Sequence, residues 1–308
     1  MSKSTKKIIF VIVALVIIIP LSVLILFSFL NRTNGTIQSS GQERRYLLYI
    51  PESYDPAKPT PLVISMHGFI EWPDHQRQIS HWNELADEAG FIVVYPMGTG
   101  FPLRWGTLAR AGDQGQAQRD VQFISDLIDK LAGEYNIDKD RIYANGLSNG
   151  GGMSFLLACQ MADRIAAIGG VAGAYSTSWS ECSPSRPVPV IAFHGDADPV
   201  VPYEGGIRTS RDYDFPAISD WIAAWAKNNA CNLTSEEGPT SGEVSSIRYT
   251  GCAENANVEL FTIHGGGHSW PGGDNLPKFI VGETTQDIDA TRVMWDFFQE
   301  HPLQAQVD

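Results

Sequence analysis

The sequence predicts an α/β protein with a mostly parallel central sheet and helices on both faces. Short runs of branched apolar residues, typical of strands buried on both faces, alternate with stretches whose apolar residues recur at helical spacing. Strands that alternate with helices in this way form a parallel sheet, because each helix carries the chain back across the sheet. The pattern contains no internal repeat or low-complexity linker, so we expect one folded domain over residues 43–308.

The amino-terminal half of this domain opens with two strands. Residues 45–50 follow a strand-like alternation that stops at Pro51, and residues 60–66 (TPLVISM) form a continuous apolar run that stops at His67. The half continues with a predicted helix over 76–89, a strand over 91–95, a helix over 118–135 and a short strand over 141–144.

The carboxyl-terminal half keeps the same alternation. Residues 188–193 (VPVIAF), for example, form a short apolar run that is typical of a buried strand. The predicted elements are a helix over 149–162, strands over 165–171 and 188–193, a helix over 218–227, a strand over 258–263 and a closing helix over 286–298.

The charge balance excludes one class of partner. The chain of 308 residues carries a net charge of -13. Its first 30 residues contain three lysines and no acid, so the remainder has 22 − 3 = 19 basic residues against 35 acidic ones, or -16. A surface this acidic repels nucleic acid and anionic membranes, and no basic run offsets it. We therefore expect no nucleic-acid partner.

An uncharged apolar run, residues 8–30, precedes the domain. As a helix at about 1.5 Å per residue it would span roughly 34 Å, enough to cross a bilayer. A cleaved signal peptide is the alternative, but its apolar core is normally only about 7–15 residues long, and Ser28-Phe29-Leu30 makes a poor cleavage site. We predict an uncleaved transmembrane signal-anchor over residues 8–30.

The flanks of this run set its orientation. Lysines lie in residues 1–7, and the positive-inside rule places that stub in the cytoplasm and the rest of the chain outside. If the anchor were cleaved, the domain would be secreted. The polar residues 31–42 (NRTNGTIQSSGQ) are expected to form a flexible tether.

The four cysteines fit an extracytoplasmic location. Cys159, Cys182, Cys231 and Cys252 all lie in the outer domain, and an even count in an oxidising compartment suggests two disulfides. Cys231 and Cys252 flank a polar stretch, expected to be a loop or hairpin, that a disulfide would stabilise. We predict the pairs Cys231–Cys252 and Cys159–Cys182, and no CxxC spacing indicates zinc or redox chemistry.

A nucleophile motif lies between a predicted strand and a predicted helix. Gly146-Leu147-Ser148-Asn149-Gly150 is a G-x-S-x-G sequence, whose glycines permit the sharp turn that exposes a serine hydroxyl above the sheet edge. This strand–turn–helix setting is that of the α/β-hydrolase fold, which we predict for the domain. The structural alternative, a glycine-rich turn with a helix-capping serine, explains none of the residues that follow.

The serine needs a base, and a glycine-rich loop supplies the candidate. His268 follows the last predicted strand in the sequence HGGGHSW, where glycines let its ring reach across the sheet edge. His264 is the rival, but it lies at the strand end and is expected to be structural. The three glycines between the two histidines disfavour a helical zinc site, so no metal and no other cofactor is expected.

The loops after two other predicted strands offer candidates for the acid and for the oxyanion donors. Asp196 and Asp198 both follow the strand before the histidine loop, and spacing alone does not choose between them. The oxyanion donors are expected to be the N–H of Asn149 and, after the strand that ends at His67, the N–H of Phe69 or that of Ile70.

These motifs together resemble a known family. The sequences MHG at 66–68, DVQFI from Asp120, GLSNGG at 146–151, HGDADPVVPY at 194–203 and GGGHSWPGG at 265–273 are similar to those of the polyhydroxybutyrate depolymerase, feruloyl esterase and acetylxylan esterase family, also described as LpqC-like esterases. The likeness runs from about residue 43 to residue 299.

The resemblance adds three assignments. It implies Asp198 as the acid, because the family's acid lies in H-G-x-x-D-x-x-V-P, and it supports the Cys231–Cys252 disulfide. It also implies that Trp105, Tyr203 and Trp270 line the substrate cleft, with simple packing as the alternative.

The resemblance implies a serine carboxylesterase that removes feruloyl or acetyl groups from plant polysaccharide through an acyl-enzyme. Its alternative within the enzymes is a depolymerase of short polyhydroxybutyrate esters. A membrane-anchored binding module without catalysis is the non-enzyme alternative, but such proteins usually lose a member of the triad, and here all three are present.

Overall fold

The computed structural model describes residues 32–107, 114–175, 182–208 and 213–303. Its strands are β1 Gly35–Ser39, β2 Gln42–Tyr49, β3 Thr60–Met66, β4 Ile92–Pro96, β5 Ile137–Leu147, β6 Ala167–Val171, β7 Val190–Gly195, β8 Gly206–Arg208, β9 Tyr213–Phe215, β10 Glu236–Glu237, β11 Val244–Tyr249 and β12 Val258–Ile263. Its helices are α1 Pro73–Ser80, α2 Trp82–Ala89, α3 Gln114–Glu134, α4 Asn149–Gln160, α5 Ile218–Asn228, α6 Lys278–Val281 and α7 Ala290–Glu300.

One large sheet organises the described part of the chain. Its strand order is β1-β2-β4-β3-β5-β6-β7-β12-β11-β10, and β8 and β9 form a separate hairpin. The neighbouring strands from β4 to β12 are parallel, whereas the pairs at both edges are antiparallel. The predicted α/β architecture is therefore confirmed, and the loops after the parallel strands all leave from one edge.

Both faces of the sheet are buried, which explains the continuous apolar runs. On β3, Leu62 and Ile64 pack into the core beneath α3, α4 and α5, and Val63 points to the opposite core beneath α1, α2 and α7. Every residue of this strand is buried. Because successive side chains of a strand point to opposite faces, burial on both sides demands apolar residues throughout.

The predicted helices have other bounds in the structure, and two of them show why. The helix predicted over 76–89 is two helices, α1 and α2, since His81 between them has a left-handed φ of 53°. The closing helix begins only at Ala290, where the Asp289 carboxylate accepts hydrogen bonds from the amides of Thr291 and Arg292. An N-cap of this kind fixes the first turn, which hydrophobic periodicity does not locate.

The prediction of a flexible tether over residues 31–42 is wrong. Residues Gly35–Ser39 form edge strand β1, which pairs with β2 from Gly35↔Tyr46 to Ser39↔Gln42. The side-chain amide of Asn34 extends the pairing, because it both donates to the Leu48 carbonyl and accepts from the Leu48 amide. An edge strand keeps one side in water, so its polar composition resembled that of a linker.

The predicted membrane anchor, residues 8–30, and the cytoplasmic stub, residues 1–7, lie outside the described residues. Among the helices of the described part of the chain, none combines the length and apolarity that crossing a bilayer requires.

Both predicted disulfides are confirmed. Cys159 near the end of α4 is joined to Cys182, and Cys231 after α5 is joined to Cys252. The second bond closes the segment that contains β10 and β11, the last strands at that edge of the sheet. It thereby ties this edge to the end of α5.

We expect loss of the Cys231–Cys252 bond to destabilise the fold. Its partners are 21 residues apart, and opening a loop of that size costs about 3 kcal/mol, chiefly through the unfolded chain. The double variant Cys231→Ser/Cys252→Ser should therefore unfold at a lower urea midpoint, with a slope that rises because the unfolded chain without the cross-link exposes more surface. The corresponding Cys159/Cys182 variant, with a separation of 23, is the matched comparison. A midpoint equal to that of the unaltered protein would contradict the expectation.

Candidate active site

Ser148 lies in a strained turn between β5 and α4. Its backbone has φ 54° and ψ −115°, a conformation that L residues rarely adopt. The amide of Ser148 donates to the Val171 carbonyl (2.9 Å), and its own carbonyl accepts from the Ala174 amide (2.9 Å). These contacts hold the strained residue at the carboxyl edge of the parallel strands.

The motif glycines are required by close packing. A Cβ on Gly146 would lie 2.6 Å from the Met66 carbonyl oxygen, and a Cβ on Gly150 would lie 2.1 Å from it. Any larger residue would push the turn off the end of β3. The G-x-S-x-G pattern is therefore a steric requirement for bringing Ser148 next to the β3 loop.

Asp198 and His268 are hydrogen-bonded to each other. Asp198 Oδ2 lies 2.7 Å from His268 Nδ1, and Oδ1 accepts from the amides of Val200 (2.6 Å) and Val201 (2.8 Å). Burial works to raise the pKa of Asp198, but attraction to His268 and these hydrogen bonds bring its pKa below the ordinary value. The group is a carboxylate that fixes the histidine with its proton on Nδ1.

His194 is a second histidine at this aspartate, and sequence reasoning missed it. Its Nε2 lies 3.0 Å from the Val201 carbonyl oxygen and 3.4 Å from Asp198 Oδ2. Because a carbonyl only accepts, Nε2 carries a proton. Burial lowers the pKa of His194 below its ordinary value, so the ring is neutral and steadies Asp198 without adding charge. Its position at the end of β7, four residues before Asp198, was the available signal.

The rival acid and the rival histidine pair with one another. Asp196 Oδ2 lies 2.9 Å from His264 Nδ1, and both side chains are substantially exposed. The structure therefore sorts the four candidates into a buried pair, Asp198 with His268, and an exposed pair, Asp196 with His264.

No hydrogen bond joins the Ser148 hydroxyl to the His268 ring within the described residues. Ser148 is 8% exposed and His268 is 6% exposed, and both follow parallel strands at the same sheet edge. Contacts between a nucleophile and its base are often long without substrate and tighten in the complex.

The loops that carry the expected oxyanion donors converge on Trp105. Its indole N–H donates to the His67 carbonyl (3.0 Å), and its backbone N–H donates to Asn149 Oδ1 (2.7 Å). Ile70 is excluded as a donor, because its N–H donates to the Leu103 carbonyl (2.9 Å). Phe69, and Asn149 at the first turn of α4, stay the donors that the sequence predicts.

Trp105 and Trp270 do not face a substrate. Each is only 1% exposed. Trp105 packs against His67, and the Trp270 indole donates to Thr291 Oγ1 in the core beneath α7. The prediction that these two residues line the cleft is therefore wrong. Both rings pack in the interior, where their N–H groups donate to buried acceptors. Tyr203 is partly buried, and its hydroxyl is bonded to Thr262 Oγ1 (2.8 Å).

His67 is structural. Its Nδ1–H donates to the Gly68 carbonyl (2.7 Å), and Nε2 accepts from the Gly98 amide (3.0 Å). Burial lowers the pKa of His67 to about 4, so the ring stays neutral and keeps this donor–acceptor pattern.

A buried ion pair supports the Trp105 loop, and no sequence pattern indicated it. Arg44 on β2 lies 2.9 Å from Asp120 on α3, and both are buried. Asp120 Oδ2 also accepts from the Gly106 amide (2.9 Å), directly after Trp105. Burial raises the pKa of Asp120, which the positive charge of Arg44 opposes. Arg44 is separated from Asp120 by 76 positions, so only the fold reveals the pair.

Metal ligands are not assembled in the described part of the chain. No group of three or more His, Cys, Asp and Glu side chains there could hold an ion. The chemistry available at this edge of the sheet is that of a serine, a histidine and a carboxylate.

Comparison with known proteins identifies the family. The chain matches the family model described as Esterase PHB depolymerase over residues 44–235, which is more than half of its length. It is 30% identical over 240 residues to a bifunctional acetylxylan esterase/xylanase of Neocallimastix patriciarum, in a match that covers 77% of this chain and 32% of that protein. Feruloyl esterase C of Emericella nidulans is 28% identical over 272 residues, with 86% of this chain and 87% of that protein covered.

A solved structure shows the same fold. An acetyl xylan esterase from Aspergillus awamori aligns with a TM-score of 0.60 at 14% identity, covering 86% of this chain and 98% of that one. At that identity the likeness concerns the fold, whereas the family model and the sequence relatives carry the assignment. The chain therefore belongs to the Esterase PHB depolymerase family, that is, to the carboxylic ester hydrolases of the α/β-hydrolase type.

Proposed function

We propose that the protein hydrolyses esters with Ser148 as nucleophile, His268 as base and Asp198 as the acid that orients the base. The observation that carries this proposal is the buried hydrogen bond of 2.7 Å between Asp198 and His268, at the sheet edge where Ser148 occupies its strained turn. The chain order of serine, acid and histidine is also that of the α/β-hydrolase fold.

In the proposed reaction each residue has its own step. Ser148 Oγ attacks the ester carbonyl while His268 Nε2 takes its proton, and Asp198 stabilises the imidazolium that forms. The amides of Phe69 and Asn149 stabilise the negative oxygen of the tetrahedral intermediate, with the amino end of α4 adding its positive dipole. His268 then protonates the leaving alcohol, and water that His268 activates releases the acid from Ser148.

The substrate class we propose is a feruloyl or acetyl ester on plant polysaccharide. The printed names of the matched relatives, an acetylxylan esterase and a feruloyl esterase, support it. Two large exposed aromatic side chains also follow strands at the catalytic edge, Phe101 (94% exposed) after β4 and Phe279 (89% exposed) beyond the His268 loop.

The second candidate is hydrolysis of short polyhydroxybutyrate esters. The description of the matched family model, which names a PHB depolymerase, favours it. The same serine chemistry serves both substrates, since specificity depends on the shape of the cleft and on its contacts with the acyl and alcohol groups.

The proposed location is outside the cytoplasm, with residues 8–30 as membrane anchor. Two disulfides support an oxidising compartment, and the lysines of residues 1–7 support this orientation. Labelling intact cells with a membrane-impermeant amine reagent tests it: the outer domain should react without lysis, and protection until lysis would contradict the proposal.

A substrate panel tests the function. The full chain is assayed on methyl ferulate, acetylated xylan, p-nitrophenyl acetate and a hydroxybutyrate oligomer, with Ser148→Ala as control. The highest kcat/KM on ferulate or acetylxylan supports a polysaccharide esterase, and preference for the oligomer assigns the depolymerase activity. Failure to turn over any ester would leave only a binding role and overturn the proposal.

We expect Trp105→Phe to lower kcat roughly 10- to 100-fold with KM changed less than about twofold, since small misplacements of catalytic groups have effects of this size. The variant keeps the ring packing but loses the bond from the indole to the His67 carbonyl, which ties together the loops that carry both oxyanion donors. Trp82→Phe is the matched control, because it loses an equally buried indole bond to Asn145. Equal effects of the two variants on kcat would show that only general packing is involved.

A further inference from the structure

A second Ser–His–Asp arrangement lies beside the proposed active site. Ser245 on β11, His264 directly after β12 and Asp196 directly after β7 belong to three neighbouring strands. Ser245 Oγ lies 2.9 Å from His264 Nε2, and His264 Nδ1 lies 2.9 Å from Asp196 Oδ2. None of these three side chains has a part in the mechanism of Ser148.

The protonation states suit activation of the serine. Asp196 Oδ1 accepts from the Gly265 amide (2.6 Å). Partial burial works to raise the pKa of Asp196, but hydrogen bonds from His264 and Gly265 bring its pKa below the ordinary value. A carboxylate facing Nδ1 keeps the proton there, which leaves Nε2 of His264 free to accept the hydroxyl proton of Ser245.

This arrangement is open to solutes. The side chain of His264 is 56% exposed and that of Asp196 is 37% exposed, whereas Asp198 and His268 are 0% and 8% exposed. A small acyl donor can therefore reach the exposed histidine, and water screens the pair. We expect the activation of Ser245 to be weaker than that of a serine in a buried triad.

The surroundings of Ser245 limit its chemistry. Ser245 lies within a regular strand, opposite Thr262, and not at the start of a helix as Ser148 does. The backbone amides of a strand are engaged in the sheet, so an oxyanion on Ser245 lacks the paired donors expected at Ser148. Each missing donor typically costs about 10²–10³ in rate. Only acyl donors with a good leaving group suit such a site.

We infer that Ser245, with His264 as its base and Asp196 as the group that orients it, is a second and slower acylable serine, selective for activated esters and phosphonyl halides. Ser245 Oγ bonds to the acyl carbon, the bond to the p-nitrophenolate leaving group breaks, and the hydroxyl proton passes to His264 Nε2 and on to solvent. With a fluorophosphonate, a phosphorus–oxygen bond forms and fluoride leaves.

The test is covalent labelling of the full-length Ser148→Ala variant with a fluorophosphonate, followed by peptide sequencing in a mass spectrometer. We expect an adduct on Ser245 that forms roughly 10⁴–10⁶ times more slowly than the Ser148 adduct of the unaltered protein, since two donors are missing. Ser246 is a control within the same peptide, because it is buried and its hydroxyl donates to the Pro239 carbonyl. Ser245→Ala in the same background should abolish the adduct.

A second variant separates activation from mere exposure. His264→Gln in the Ser148→Ala background should slow labelling of Ser245 at least about 10-fold, since it removes the base and leaves the serine in place. An unlabelled Ser245, or labelling that His264→Gln does not slow, overturns the inference. Neither result bears on Ser148, whose role is measured separately by turnover of the unaltered protein.

Discussion

Replacing Ser148 with alanine should lower kcat for methyl ferulate, or for whichever ester the protein prefers, by roughly 10⁵–10⁶-fold. The change removes the atom that attacks the carbonyl, while the oxyanion donors and the binding contacts stay, so KM should change little. The small Cβ of alanine fits wherever the serine Cβ does, and the backbone bonds of residue 148 to Val171 and Ala174 do not use the side chain. The fold should therefore be retained.

The measurement is steady-state turnover of purified variants, with the urea midpoint as a check of folding. Ser154→Ala is the matched control: this serine is buried in α4, and its hydroxyl donates only to the Gly150 carbonyl (3.1 Å). It should keep turnover within about threefold of the unaltered protein. A non-activated ester is preferred, because slow acylation at Ser245 would add background with p-nitrophenyl acetate. Turnover by Ser148→Ala near that of the unaltered protein would refute the nucleophile assignment.

Replacing Asp198 with asparagine should lower kcat by about 10⁴-fold, the second largest effect we expect. The amides of Val200 and Val201 both donate to Oδ1 of Asp198, so the oxygen of an asparagine would stay with them. Its NH₂ group would then face His268 and force the histidine proton from Nδ1 to Nε2. In that tautomer Nε2 does not accept the Ser148 proton, and no carboxylate stabilises the imidazolium.

Asp196→Asn is the matched control, since it makes the same substitution two residues away. Asp196 pairs with the exposed His264, so its loss should change turnover less than about threefold while it slows labelling of Ser245. Both variants are compared by kcat/KM across pH. If Asp196→Asn proves the more damaging of the two, the exposed pair, and not the buried one, serves Ser148.

The order of the elements in the parallel part of the sheet and the sharp turn at Ser148 were predictable from the sequence because local rules govern them. β3 reads as a buried strand since both of its faces are covered, and the turn at Ser148 needs glycine at 146 and 150 because the backbone of Met66 lies against it. The partners of the two disulfides were also predictable, since four cysteines outside the cytoplasm have few ways to pair. These features depend on residues that are close in the chain or on the number of cysteines.

Other features depend on which side chains meet in space. The sequence offered Asp196 and Asp198 as equals, and only the paths of two loops separate them, so that one meets His268 in the interior and the other meets His264 in solvent. Aromatic residues next to catalytic motifs looked like cleft residues, yet Trp105 turned inward because the His67 carbonyl accepts its indole N–H.

Two further features, the amino-terminal edge of the sheet and the support of the oxyanion loops, also could not be predicted from the sequence. Polar residues 35–39 join the sheet because Asn34 and Tyr46 hold them against β2, a register that composition does not reveal. Arg44 and Asp120 meet beneath the Trp105 loop only after β2 and α3 have packed together. The parallel sheet and the serine turn can be predicted from the sequence, because short-range sterics and periodicity encode them. Which acid pairs with which histidine, and what holds the loops, is visible only in the fold, because both depend on burial and on contacts between distant segments.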